Sequence, residues 1–439
     1  DSVLYLGLRQ SVRITSRALS ESGNPIPEAP RRWTMPDTNL VTLDTATGTL
    51  SGRALGSTQF AIEYPGQPAK TIRVVVVAYA LRAARERIGV PVGQRRQLAV
   101  ELIDRNRQPA GNALPYLRWT SSDTTVARVD STGNVTGVMP GRALIRGTTV
   151  WDSTVTVEAY VAGDMIFSAR RGGRRDIYMM YGQNQLRPIT QDTAEEVSIA
   201  WSRDLTRIAF FSGTNGRYDV WTANADGSGR TRLTLDSATL AGNVGFAGAE
   251  DDLLIYESNA GGSQRVWLLG LGRQAGSRPL VTTTGPTTSP AVSPDGRRVA
   301  LSGALVQTAP GRGALGLYVV NADGSGSPQL VFEGNVTSPV FAADGQYLYF
   351  VRSYTERREQ RRRVFRQRIG VTVPDSAQAI TPETMVVVAL YDVSADGNRL
   401  AMRVQMADGL HTIIYDRTTN QSTELLTPAE AVAGVLFRR

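Results

Sequence analysis

Trp201–Thr234 reads WSRDLTRIAFFSGTNGRYDVWTANADGSGRTRLT. Short runs rich in Ile, Phe, Val and Trp alternate with Asp, Asn and Gly, which is the pattern of short strands joined by tight turns. Its six residues NADGSG, Asn224–Gly229, return at Asn321–Gly326, 97 residues further on. That separation is two periods of roughly 48, a length typical of repeat architectures rather than of one ligand loop.

Other copies of the period lie on both sides. SIAWSRD at 198, SPAVSPDG at 289, SPVFAADG at 338 and LYDVSADG at 390 align so that Trp201, Phe246, Val292, Phe341 and Val393 share one position, at spacings of 45, 46, 49 and 52. Each is followed by a second strand-like run (RIAFF at 207, LLIYE at 253, RVALS at 298, YLYFV at 347, RLAMR at 399). A third follows (DVWTAN at 219, RVWLLG at 265, GLYVVN at 316, RVFRQR at 363, TIIYDR at 412), then a short polar strand. The units end at Thr190, Thr234, Thr282, Phe332, Thr381 and Thr427, giving six units whose ends lie 44 to 50 residues apart. Four short antiparallel strands repeated six times predict a six-bladed β-propeller. The first unit, from Gly163, has three strands, while AVAGVLF at 431–437 is left over with the inner-strand pattern and Leu436 at the aligned position. The leftover strand is therefore expected to complete the first blade and close the ring.

Composition agrees with an all-β chain and removes several chemistries. Of 439 residues 41% are apolar and 43 are Gly, and no apolar stripe of helical period and length appears. There is no cysteine, one histidine (His411) and one lysine (Lys70), so the formal charge of +8 is carried almost wholly by arginine. Thiolate metal sites and cysteine redox are excluded, and a nucleophile–histidine pair must use His411. The longest apolar run, Val74–Leu81, is far shorter than the roughly 20 residues that span a bilayer. A chain opening at Asp1 and entering VLYLGL at once is expected to be a mature, exported protein whose signal peptide has been removed.

With these segments in view, residues 162–439 resemble the WD-related propeller repeats of the TolB family. In the amino-terminal third, LRWTSSDTTVARVDSTGNVTGVMPGRALIRG at 117–147, with Trp119, Ala127, Val129 and the turn at Gly133, resembles bacterial group 2 immunoglobulin-like domains. A diverged copy is read at 1–79, where Trp33, LVTLDTATGTLSG and ALGSTQFAIEY match the same landmarks. The expected organisation is two immunoglobulin-like β-sandwiches at 1–79 and 80–161, then the propeller at 162–439. These resemblances imply a stalk carrying a binding or assembly head on the bacterial surface or in the periplasm.

The Asp-Gly turns are expected to be structural, because one carboxylate per NADGSG copy does not meet a calcium-loop template. The loops between second and third strands are more informative. They hold thirteen arginines against five acids, including Arg170, Arg171, Arg174, Arg175, Arg217, Arg312, Arg357, Arg358, Arg361, Arg362 and Arg363. Such a face favours an acidic protein or an anionic glycan, and these eleven arginines are the candidate partner-binding residues. The run ERREQRRR has no interleaved aromatics of a nucleic-acid motif, so no nucleic acid is expected; neither is a cofactor or metal. Glu195 and Glu196 beside Asp192 are the nearest approach to a carboxylate pair for glycan chemistry, and adjacent strand residues point to opposite faces. No G-x-S-x-G elbow accompanies His411. The expected function is a non-enzymatic exported scaffold or adhesin, with self-assembly into a surface layer or filament expected through strand addition at the β-rich amino terminus. A periplasmic docking propeller and a glycan-active enzyme are the alternatives.

Overall fold

The periodic spacing of apolar residues becomes visible as strand register in a computed structural model. It describes residues 2–438 apart from 27–31, 35–36, 151, 236–237, 239–241, 261, 273–275, 283–284, 310–311, 372–375, 428–429 and 431. Among the described residues the chain is all-β, with one short 3-10 turn at Leu114–Tyr116. It divides into two compact units. The first comprises 1–87, 95–136 and 143–159, and the second 88–94, 137–142 and 160–439.

In the first unit, Ser2–Gly7 is an edge strand running parallel to Lys70–Val77, followed in the sheet by Gly56–Glu63 and Arg32–Thr34. A three-stranded sheet of Ser11–Arg13, Thr49–Gly52 and Val41–Asp44 accompanies it. Leu6, Leu8, Val41, Leu50, Phe60, Val74 and Val76 form a buried cluster with Val100, Leu102 and Leu117.

The second unit contains six four-stranded antiparallel sheets among its described residues. Sheet I joins Met165–Arg171, Arg174–Tyr181 and Gln185–Pro188 to Ala433–Phe437, the far carboxy-terminal strand, with Leu436 opposite Ile166. Sheet II runs from Glu195–Trp201 to Thr231–Arg232, sheet III from Val244–Ala247 to Ser277–Pro279, and sheet IV from Thr287–Val292 to Gln329–Glu333. Sheets V and VI begin at Val336–Phe341 and Val386–Val393 and end at Gln378–Ala379 and Gln421–Glu424.

The aligned sequence position is one register position. Trp201, Phe246, Val292, Phe341 and Val393 stand opposite Ile208, Leu254, Val299, Leu348 and Leu400, and all five partners are fully buried. Alternate side chains of each sheet pack into the next. Ile177 and Phe210 join sheets I and II; Phe211 and Tyr256, II and III; Ile255 and Val299, III and IV. Phe341 and Leu317 join IV and V, Val351 and Met402 join V and VI, and Phe167 and Ala401 join VI back to I.

A second recurring device fixes neighbouring sheets. In SRDLTR, SPDGRR and SADGNR the Ser hydroxyl oxygen accepts the amide of the Arg five residues on, at 2.9 Å in each of Arg207, Arg298 and Arg399. The guanidinium then lies over an aromatic ring of the next sheet: Arg207 over Phe246, Arg298 over Phe341 and Arg399 over Phe437, at 5.0, 5.8 and 5.3 Å. Asp and Ser therefore shape the turn so that Arg can reach across a sheet boundary.

Candidate functional site

The twin NADGSG turns have the same internal geometry. Asn224 and Asn321 each donate from Nδ2 to the hydroxyl of Ser228 or Ser325 at 3.0 Å, and those serine amides donate to Asp226 and Asp323. Gly227 and Gly324 have φ of +85° and +75°, and each faces a carbonyl at the close of the preceding sheet, that of Ile189 or Leu280. The carboxylates are turned inward to backbone amides, and among the described residues no cluster of three or more metal-ligating side chains exists. These turns seat one sheet on its neighbour.

The arginine loops are less uniform than their charge. Arg170 pairs with Glu195 at 2.5 Å, Arg171 with Glu430 at 2.8 Å, and Arg361 with Glu359 at 2.7 Å. Arg174 donates to the Asp192 carbonyl at 3.0 Å, Arg362 to that of Val388 at 2.7 Å, and Arg363 to that of Thr381 at 2.9 Å. Arg175 is half-buried, and desolvation together with the nearby Arg170 charge lowers its pKa. The side chain of Arg312 lies outside the described residues. Arg217, Arg357 and Arg358 are exposed and make no side-chain hydrogen bond or ion pair among the described residues.

Arg357 and Arg358 form the two-residue tip of the hairpin Tyr347–Glu356 and Glu359–Arg368, with φ of +48° and +71°. A tight turn left-handed at both central residues favours Asn-Gly, because a β-carbon costs about 1 kcal/mol or more per residue in that region. Glu356 and Glu359 stand directly opposite below it, a like-charge cross-strand pair. Local preferences oppose this tip in two ways.

The acidic candidates separate as strand alternation requires. Glu195 is half-buried and held by Arg170, with the Tyr218 hydroxyl 3.4 Å away. Glu196 is fully buried, accepts from Thr190 Oγ1 at 2.9 Å and Ser212 Oγ at 3.3 Å, and has Arg230 at 3.7 Å. Burial first, then the neighbouring Asp192 charge, pushes its pKa up to about 7 despite Thr190 and Arg230. Raised above its unfolded value of about 4.3, this carboxyl stabilises the fold fully in acid, and its contribution is lost as pH rises through 7. Glu196→Gln should therefore flatten the pH dependence of urea unfolding between about pH 5 and 8, and at pH 8 stand about 2 kcal/mol above the parent. An unchanged slope would disprove it. His411 is fixed between Glu424 and Asp408, at 2.8 and 2.9 Å, which raises its pKa.

One feature escaped the candidate residues. The strands Glu195–Trp201, Val244–Ala247, Thr287–Val292, Val336–Phe341, Val386–Val393 and Ala433–Phe437 border a cavity of about 520 Å³, lined by Trp201, Phe246 and Phe341 with Ser202, Asn243 and Asp392. Neither Glu195 nor Glu196 lines it. The aligned row that begins at Trp201 was the available signal, since Trp201, Phe246, Val292 and Phe341 of that row line the cavity.

Residues 87–159 match the family model of the bacterial Ig-like domain, group 2. No curated protein matches the chain. Among solved structures, TolB from Acinetobacter baumannii is similar at 14% identity and a TM-score of 0.50, over 70% of this chain and 80% of that one. A putative TolB from Agrobacterium tumefaciens is similar at 17% identity and a TM-score of 0.44, over 62% and 90%. The first of these shows a TolB-like propeller fold. Oligogalacturonate lyase from Vibrio parahaemolyticus is similar at 12% identity and a TM-score of 0.40, over 76% and 86%. The expectation of a non-enzyme is corrected by this lyase: enzymes stand among the similar structures, and scarce nucleophiles in a composition do not exclude catalysis, which resides in sites rather than folds. No helix among the described residues is long and apolar enough to cross a membrane.

Proposed function

We propose that this chain is an exported bacterial interaction scaffold whose hairpin tips dock an acidic protein. Its six sheets act as the blades of a six-bladed propeller at 162–439, closed by the carboxy-terminal strand and carried on two immunoglobulin-like modules at 1–79 and 80–161. Packing of sheet VI on sheet I, with Arg399 over Phe437, supports the ring. The TolB-like fold and the group 2 Ig-like match support a place in the periplasm or on the cell surface, and assembly of copies into a layer or filament is part of this proposal.

The observation that carries the docking site is the Arg357–Arg358 tip: exposed, without a side-chain hydrogen bond or ion pair among the described residues, and held in a backbone conformation that arginine disfavours. Arg217 is the third member of the eleven-arginine candidate set with no side-chain hydrogen bond or ion pair among the described residues. Charge at such tips speeds encounter with acidic surfaces and is screened by salt.

Arg357→Asn with Arg358→Gly tests the proposal, because it installs the preferred turn while removing both charges. The expected result is a higher melting temperature, by about 1 kcal/mol or more of stability, together with loss of salt-sensitive capture of an acidic partner from cell-envelope extract. Capture that survives in the better-folded variant would clear the tip. Capture of an anionic polysaccharide in place of a protein would assign the glycan instead.

A further inference from the structure

The two ends of the amino-terminal region repeat one backbone network. In the first unit Leu8 N donates to Val77 O, Arg9 N to Gly52 O, Gly52 N to Gln10 O and Gln10 N to Gly7 O. In the second unit Val92 N donates to Ala162 O, Gly93 N to Gly137 O, Gly137 N to Gln94 O and Gln94 N to Pro91 O. Superposing the two networks sets Leu8 on Val92 and Gly7 on Pro91, and therefore Tyr5 on Gly89.

The two positions have opposite surroundings. Gly89 is covered: a β-carbon there would lie 2.0 Å from the Asp204 carbonyl oxygen and 2.6 Å from Leu205, so glycine lets a backbone turn press on the strand. Tyr5 is 68% exposed and Val3 46%, on the same face of Ser2–Gly7. A tyrosine ring leaves no room for a turn pressed flat on the strand. It suits a cross-strand neighbour, and an aromatic beside a β-branched residue is a favourable pair.

The strand's free edge has a defined extent. Because Leu8 N points inward to Val77 O, alternation turns the amides and carbonyls of Val3, Tyr5 and Gly7 outward. Gly7 is already satisfied, its N–H by Gln10 Oε1 at 3.1 Å and its carbonyl by the Gln10 amide at 2.9 Å. Val3 and Tyr5 remain. SVLYLG carries no charge and no proline, the usual guards of an exposed edge.

We propose that Ser2–Gly7 is a self-pairing edge, through which two copies of this chain join antiparallel about a two-fold axis at Leu4. In that register Val3 of each copy exchanges both backbone hydrogen bonds with Tyr5 of the other, and the two side chains pair on the exposed face. Every free outward group of the described strand is used, and the Gln10 cap ends the pairing at Gly7. Two four-stranded sheets become one of eight. The interface is isologous, so it closes as a dimer, and a longer assembly needs a second surface. The proposal rests on the assembly part of the function proposed above and names its contact.

The test is sedimentation equilibrium of the full chain over a range of concentrations, beside Val3→Lys with Tyr5→Lys, both facing solvent and therefore tolerated by the fold. Because the protein has no cysteine, Leu4→Cys is a clean reporter under oxidation, with the exposed Leu235→Cys as control. The expected result is a twofold mass for the parent, a single mass for the lysine variant, and a covalent dimer from Leu4→Cys alone. A parent that associates while the lysine variant associates equally and Leu4→Cys forms no dimer overturns this edge and leaves assembly through another surface. A parent of single mass at every concentration, with no covalent dimer, overturns both.

Discussion

Removal of residues 430–439 should abolish cooperative folding of the second unit. The deleted segment carries Val432, Val435 and Phe437, all buried between sheets VI and I. It also carries the Phe437 amide bonded to Asp392 Oδ2 at 2.9 Å, Arg438 paired with Asp164 at 3.2 Å, and Glu430 paired with Arg171. Three fully buried side chains at about 1.5–3 kcal/mol each amount to roughly 5–9 kcal/mol, comparable with the whole stability of an ordinary domain. The deletion also strips the pairing edge of Met165–Arg171, which then offers unsatisfied amides to other chains. Loss of the thermal transition by circular dichroism, with aggregates by light scattering, is the expected outcome. A melting temperature within a few degrees of the parent would show that the strand is an appendage.

Gly227→Ala should be among the most damaging single methyl additions in the second unit. At φ of +85° an alanine pays about 1–2 kcal/mol in backbone strain, and its β-carbon would lie 2.1 Å from the Ile189 carbonyl oxygen, so the turn and sheet I must also separate. Gly216→Ala isolates the first effect from the second, because Gly216 has φ of +71° and nothing within 4 Å of the added carbon. We expect about 1–2 kcal/mol of destabilisation at Gly216 and at least about 3 at Gly227, measured by urea unfolding. Equal losses would mean that the NADGSG turn only caps its own hairpin.

Much of the strand order was legible because the repeat writes the same local chemistry several times. Trp201, Phe246, Val292, Phe341 and Val393 could be aligned by spacing alone, and they prove to share one register position with buried partners. Leu436 was legible in the same way despite lying so far from Ile166. Other features depend on partners that no period encodes. Thr282 was read as the end of the third unit by analogy with Thr190 and Thr234, yet the hydroxyl that accepts the Val266 amide belongs to Thr287. Charge counting found the arginine loops but not their fate: Arg171 finds Glu430, and Arg362 finds the Val388 carbonyl, only once the sheets are side by side. Alternation correctly separated Glu195 from Glu196, whereas the Thr190, Ser212 and Arg230 surroundings of Glu196 arise from two different sheets.

The pairing of Ala433–Phe437 with Met165–Arg171 also sets an order of events. Arg438 and Gly163, in contact across this join, are 275 residues apart in the chain. Bringing such distant segments together costs on the order of 5 kcal/mol in chain entropy beyond a fixed initiation term. Each hairpin of sheets II to VI can form from neighbours within a few dozen residues, so the join at sheet I is the slow, late step. Until it is made, the Met165–Arg171 edge is open and competes for any strand in reach. A prolonged lag between hairpin formation and final closure, followed by stopped-flow fluorescence of the tryptophans, is the kinetic signature of this topology.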